Sequence, residues 1–128
     1  QPEAGGRRVR VRMDGIDAPE ICQAFGRESR AAMQALVLNQ RVRVTIWAYD
    51  RYGRAVATVE RLSDETDVAA QLVSQGWAWS ESFRWREGRY AREEAAARRA
   101  GQGLFAERRP ETPAEFRRRH GPCVTPAR

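Results

Sequence analysis

The sequence predicts an α+β domain: a small barrel of short strands with helices packed on one side. Three observations carry this. Alternating apolar and polar residues, with β-branched side chains enriched, recur at 7–13 and 41–60. Segments with apolar residues at helical spacing are interleaved with and follow them, at 25–39, 66–76 and 87–103. Turn chemistry falls at the joints, as Asp-Gly, as Asp-Arg-Tyr-Gly and as single glycines.

Taken in order, "RRVRVRM" puts Val9, Val11 and Met13 on one face and Arg8, Arg10 and Arg12 on the other, a half-buried strand with a cationic side. "FGRESRAAMQALVLN" carries an apolar stripe of Phe25, Ala32, Met33, Leu36 and Val37, and Asn39 stops it. "RVRVTIWAY" is a second alternating strand, with Val42, Val44, Ile46 and Ala48 on one face. The "DRYG" turn and "RAVATVE" then make 41–60 a hairpin. "LSDETD" is a loop. "TDVAAQLVSQG" is a short helix capped by Thr66 or Asp67, ended by Gly76, with Val68, Leu72 and Val73 inward. "WAW" is a short strand. The Ala-rich, highly charged stretch at 87–103 is a mostly exposed helix, closed by glycines and followed by the apolar anchor Leu104-Phe105. "TPAEFRRRH" has Thr112 at N-cap, Pro113 at N1 and Glu115 at N3, giving a short C-terminal helix or a basic tail. No repeat and no long linker interrupts the chain; 1–105 reads as the barrel domain and 106–128 as the basic C-terminal part.

Its 128 residues fit one domain, long enough to bury a core without staples. The net charge is +6, and all 23 basic residues are Arg. Such a chain suits an anionic partner, most often nucleic acid, although an arginine-rich solvated surface has the same composition. No apolar run approaches the ~20 residues that span a bilayer. The chain begins at Gln1 without a Met, from which a processed or trimmed product is expected; a removed leader would favour a secreted or periplasmic location. Cys22 and Cys123 with the single His cannot make a four-ligand zinc site. They form either a disulfide, which would tie the tail to the loop after Glu20, or a pair of free thiols.

One short stretch carries chemistry. In "MDGIDAPE" the acids Asp17 and Glu20 flank Ala18-Pro19, directly after the cationic strand that holds Arg12. An isolated pair of this kind most often caps the next helix and pairs with nearby arginines. The other reading is a metal-and-phosphate site. Hydrolysis of a phosphodiester needs a base for the attacking water and cations to quench charge on phosphorus. Glu20 suits the base, and Pro19 stiffens the backbone that aims it. Asp17 is a hard oxygen ligand of the kind Ca²⁺ takes. Arg12 and Arg54 can each donate two hydrogen bonds to phosphate, Arg54 as an electrostatic clamp because a guanidinium does not titrate. Asp50 and Gly53 read as turn residues. Tyr52 reads as either core cover or ligand contact, and the four tryptophans and Phe83 as core or rim. Arg117 to Arg119 form a solvated run or, less often, a phosphate-tracking one.

The segments "VRMDGIDAPE", "FGRESRAAMQALV", "DRYGRAVATV", "VAAQLVSQGWAW" and "REEAAARRAGQGLF", in this order, resemble the staphylococcal nuclease (thermonuclease) family over Arg7 to Phe105. The resemblance implies a five-stranded OB-type barrel with three helices, and a Ca²⁺-dependent nuclease acting on DNA and RNA with little sequence preference. It implies roles for Arg12, Glu20 and Arg54 in catalysis, for Asp17 and the carbonyl of Ala18 in metal binding, and for Arg51 and Tyr52 in nucleotide contact. Where the family carries nucleotide-facing tyrosines this chain has Phe83 and Trp85, which puts base stacking at that edge in question. The family's first strand, with its Asp-Gly-Asp-Thr segment and a further metal-binding aspartate, lies upstream of "QPEAGGRR" and is either trimmed from this sequence or genuinely lacking. Its loss would leave an open barrel edge, weak Ca²⁺ binding and an opportunity for a strand-exchanged dimer. The alternative is a catalytically inactive nuclease-like module that binds nucleic acid or protein.

Overall fold

The computed structural model describes residues 8–82 and 86–124. In chain order these form β1 (Val11–Met13), β2 (Ile16–Asp17), α1 (Gly26–Val37), β3 (Val42–Tyr49), β4 (Ala55–Arg61), β5 (Thr66–Asp67), α2 (Val68–Ser74), β6 (Trp79–Ser80), α3 (Ala91–Ala100), a 3₁₀ turn (Gly103–Ala106) and α4 (Pro113–His120).

Strand β4 is the centre of the sheet because its alternation is the cleanest in the chain: Ala55, Ala57 and Val59 are buried, while Val56, Thr58 and Glu60 are partly covered. It pairs antiparallel with β3, as the hairpin predicts, and antiparallel with β5. On its other edge it pairs parallel with β1, in the register Val11↔Ala55, Arg12↔Val56 and Met13↔Ala57. A separate two-stranded ladder joins β2 to β6, matching Asp17 with Trp79. Helices α1 and α2 close one side of the sheet. Leu36, Val59, Val68, Leu72, Val73 and Ile16 form the main core, with Met33 packed against it. Trp79, Ala97, Leu104 and Phe105 form a second cluster under α3, so the Leu104-Phe105 anchor acts as expected.

Several local signals are met. Asp67, rather than Thr66, caps α2 by accepting from the Ala70 amide. Asn39 adopts a positive φ just past α1, and the capping box of Thr112 and Glu115 starts α4. Phe25 is not inside α1 but precedes it in the left-handed region.

Two expectations are corrected. Among the described residues no closed five-stranded barrel forms, and there are four α-helices rather than three, the fourth being the C-terminal α4. The reason lies in β3. Among the described residues it pairs only with β4, so its predicted inward face stays open: Val44 is 40% and Ile46 43% exposed. A register shift falls between Ile46 and Ala48, and Trp47 between them is 64% exposed, so this tryptophan is not in the core. Trp77 and Trp79 do pack inward. Phe83 and Trp85 lie outside the described residues, as does the segment 1–7.

Cys22 and Cys123 are joined in a disulfide across a sequence separation of 101, so neither is a free thiol.

Candidate active site

A cleft of about 790 Å³ opens between β1, the loop after β2, the N-terminal part of α1, the β3–β4 turn and α4. Arg12, Asp17, Ala18, Glu20, Arg51, Tyr52 and Arg54 all line it.

The sheet register explains how two arginines 42 positions apart in sequence come together. Arg12 lies opposite Val56, and Arg54 is two residues before Val56 on the same strand direction, so both fall on one face. The Arg10 carbonyl accepts from the Ala55 amide and extends that ladder toward the turn. Valine and alanine on the other face anchor the pair to the core.

The turn holding Arg54 is built by Asp50. Its Oδ1 accepts from the amides of Tyr52 and Arg54 at 2.9 Å each, and its Oδ2 takes the Arg54 Nε at 2.7 Å. These bonds hold the Asp50 carboxyl below the usual range, the backbone bond to Arg54 most of all. Gly53, at φ +79°, supplies the left-handed residue that closes the loop. Asp50 is therefore a turn residue, as read from sequence. Tyr52 is 58% exposed and does not cover the core; it lies beneath the Arg51 and Arg54 guanidiniums, 5.1 and 5.6 Å from its ring centre.

The acid loop is equally specified. The Glu20 amide donates to the Gln23 side chain at 2.9 Å, and the Gln23 amide returns to the Glu20 carbonyl at 2.9 Å. Gln23 is buried and also donates from Nε2 to the Glu111 carbonyl at 2.6 Å. Gly26 sits so close that a Cβ there would lie 2.1 Å from the Glu20 carbonyl oxygen. Neither Asp17 nor Glu20 caps α1, whose N-cap is Phe25 without a side-chain bond. The Glu20 carboxylate instead accepts from Arg117 at 3.1 Å.

Arg12 donates to Glu81 at 2.9 Å and stands 4.0 Å from Asp17. Burial raises the Asp17 carboxyl above its ordinary range, and Glu81 adds to this; Arg12 and Arg117 pull the other way. The surroundings of Asp17 thus disfavour its charged form, which a cation held there would offset. That, with the hard Ala18 carbonyl beside it, fits a divalent cation completed by water. Among the described residues no group of three or more His, Cys, Asp or Glu gathers to hold a metal.

Sequence reasoning misses Glu81 and names Arg117 only within the Arg117 to Arg119 run, read as solvated or, less often, phosphate-tracking. Glu81 follows β6, and its approach to Arg12 depends on a two-residue ladder with no periodic signature. Arg117 stood in a run read as solvated; the cysteine pair was the one signal tying that segment to the acid loop.

The family model described as Staphylococcal nuclease homologue matches residues 10–107. A probable staphylococcal-like nuclease of Oryza sativa subsp. japonica is 34% identical over 91% of this chain and 31% of its own length. An uncharacterized endonuclease of Haemophilus influenzae is 33% identical over 89% of the chain and 63% of its own. A micrococcal nuclease of Shigella flexneri is 33% identical over 86% of the chain and 68% of its own. The chain therefore spans about a third of the rice protein and about two-thirds of the bacterial ones. With the match running from the cationic strand through the Leu104-Phe105 anchor, the chain belongs to the family of staphylococcal nuclease homologues.

Proposed function

We propose that this chain is a nuclease domain that hydrolyses phosphodiester bonds of DNA and RNA with little sequence preference, supported by Ca²⁺. The observation that carries the reading is a single cleft that brings together Arg12 of β1, Arg54 just before β4, Asp17 at the end of β2 and Glu20 in the loop after it. Membership of a family with relatives named as nucleases agrees with it.

In this reading Arg12 and Arg54 donate to the non-bridging oxygens of one phosphate, and Arg51 and Tyr52 hold the adjoining nucleotide. Glu20 takes a proton from water as its oxygen attacks phosphorus, and the P–O bond opposite breaks. The departing oxygen takes its proton from solvent, since a guanidinium holds its own. Asp17 and the Ala18 carbonyl are the residues that would hold Ca²⁺, which supplies charge neutralisation at a phosphoryl oxygen. Asp50 and Glu81 act through Arg54 and Arg12, fixing where those guanidiniums point. The cleft is lined by one chain throughout. A strand-exchanged dimer is not needed to assemble it, although the open edge of β3 is the place where one would form.

The other reading is a binding module without turnover, for which Phe83 and Trp85 in place of the family's nucleotide-facing tyrosines speak. Glu20→Gln separates the two. The substitution removes the base and keeps the shape, so cleavage of a single-stranded oligonucleotide in Ca²⁺ is expected to fall by at least ~10²-fold while binding persists. Cleavage by the variant at the parent rate sinks the assignment of Glu20. Absence of cleavage by the parent chain at every Ca²⁺ concentration leaves the binding module.

A further inference from the structure

We infer that Arg117 is a third phosphate-binding guanidinium of the cleft, delivered to it by a C-terminal strap, and that it exchanges from Glu20 to the substrate when a phosphodiester arrives. The inference rests on the nuclease reading for its catalytic consequence and on geometry for the contact itself.

The strap is built rather than loose. Helix α4 begins with a complete capping box, and its Pro113 and Phe116 side chains are buried. Arg119 is engaged elsewhere, in two bonds to Glu111 at 2.9 and 3.0 Å, with its guanidinium over the Phe116 ring. Two separate fastenings hold the strap against the acid loop. Gln23 donates to the Glu111 carbonyl before the helix, and the Cys22–Cys123 disulfide closes the segment after it. Cys123 itself lines the cleft. Both fastenings are on residues within three positions of Glu20, so the loop and the strap form one unit.

Within the Arg117-Arg118-Arg119 run only Arg117 lines the cleft, where its Nη1 meets the Glu20 Oε2 at 3.1 Å. The two arginines proposed to grip the scissile phosphate already have fixed carboxylate partners that lie outside the acid loop, Glu81 for Arg12 and Asp50 for Arg54. Arg117 differs because its partner is the proposed base. A base occupied by a guanidinium accepts a water proton poorly. The Arg117–Glu20 pair is also easily exchanged: its side chains are 48% and 28% exposed, which makes the attraction weak. A phosphate offers the same guanidinium a bidentate partner. Arrival of the phosphodiester therefore draws Arg117 off Glu20, adds a cation to the phosphate and frees the carboxylate in one exchange. Without substrate the pair neutralises itself.

The test is equilibrium binding of a fluorescent single-stranded DNA 12-mer to the full chain in chelator, where cleavage is absent, as a function of salt. Arg117→Ala is expected to weaken binding on the order of tenfold. It should also reduce the slope of log affinity against log salt by ~0.7, the contribution of one phosphate contact on a single strand. Arg117→Lys should restore the slope and part of the affinity, and Arg118→Ala should change neither. Cys22→Ser with Cys123→Ser should act like Arg117→Ala, with thermal melts confirming that the variants are folded. In Ca²⁺, Arg117→Ala should raise KM more than it lowers kcat. An unchanged salt slope in Arg117→Ala overturns the inference. So does faster cleavage with unchanged affinity, because the arginine would then be a mask on Glu20. A parent chain that binds but never cleaves overturns the nuclease reading alone; the salt slope still decides whether Arg117 touches phosphate.

Discussion

Replacing Gly26 with alanine moves the proposed base without touching it. A Cβ built on Gly26 lies 2.1 Å from the Glu20 carbonyl oxygen and 2.8 Å from that of Ile21. A carbon and a carbonyl oxygen in contact need roughly 3.3 Å. The loop must therefore retreat by about 1 Å, since neither neighbouring atom is the end of a flexible side chain. The retreat is resisted on two sides, by the Gln23 bonds to Glu20 and by the strap beyond them. Overpacking of this kind costs about 1–3 kcal/mol of stability. A displacement of 1 Å in a reacting group costs on the order of 10² in rate. The assay is kcat on a single-stranded oligonucleotide in saturating Ca²⁺, beside a thermal melt showing that the variant remains folded. The expected result is a modest loss of melting temperature and a loss of about a hundredfold in kcat, with KM little changed because Arg12 and Arg54 stay in place. A folded Gly26→Ala chain with parental kcat refutes the reasoning, since the position of Glu20 would then not govern the rate.

Two further outcomes follow from the same geometry. Reducing the disulfide, or replacing both cysteines by serine, releases a closed loop of about 100 residues, for which the chain-entropy model gives ~4–5 kcal/mol. At ~2 cal/mol/K per residue this lowers the melting temperature by about 15 °C, read by calorimetry with and without reductant; an unchanged melt contradicts the account. Tyr90 supplies the alkaline limit. Its ring is buried and its hydroxyl donates to Asp67 at 2.9 Å, and burial first, then Asp67, push its pKa up to about 12. The unfolded phenol ionises near 10. The folded state thus holds a proton that the unfolded chain has released, and stability falls as pH rises from ~10 to about 12. Tyr90→Phe should remove that loss, seen as a flatter dependence of melting on pH; a parallel fall in the variant would show that another group is responsible.

How much of this was legible depended on the range of the interaction. The hairpin at 41–60 was readable because Asp50 and Gly53 shape a local turn, and the C-terminal helix because its capping box spans four residues. The helix stripe of Leu36, Val37 and Met33 was readable from spacing alone. The parallel pairing of β1 with β4 was not, since nothing local to Val11–Met13 names a partner more than 40 positions away. The exposure of Val44 and Ile46 was equally hidden: alternation predicts an inward face and cannot say whether a neighbour covers it. At the cleft, the types and spacing of Arg12, Asp17, Glu20 and Arg54 were suggestive by themselves. What sequence could not supply was their present partners, Glu81 and Arg117, because both are brought in by short or terminal elements whose docking is entirely tertiary.

The bond between Cys22 and Cys123 also orders events in time. Its second sulfur emerges from synthesis about 100 residues after its first. The covalent fastening of the helix bearing Arg117 can close only after that, and only where thiols are oxidised. Among reducing thiols the Gln23–Glu111 bond holds the strap to the acid loop without a covalent tie, and an oxidising space adds the second fastening. A nucleic acid met before oxidation would face a strap held at one point, and one met after it a strap held at two.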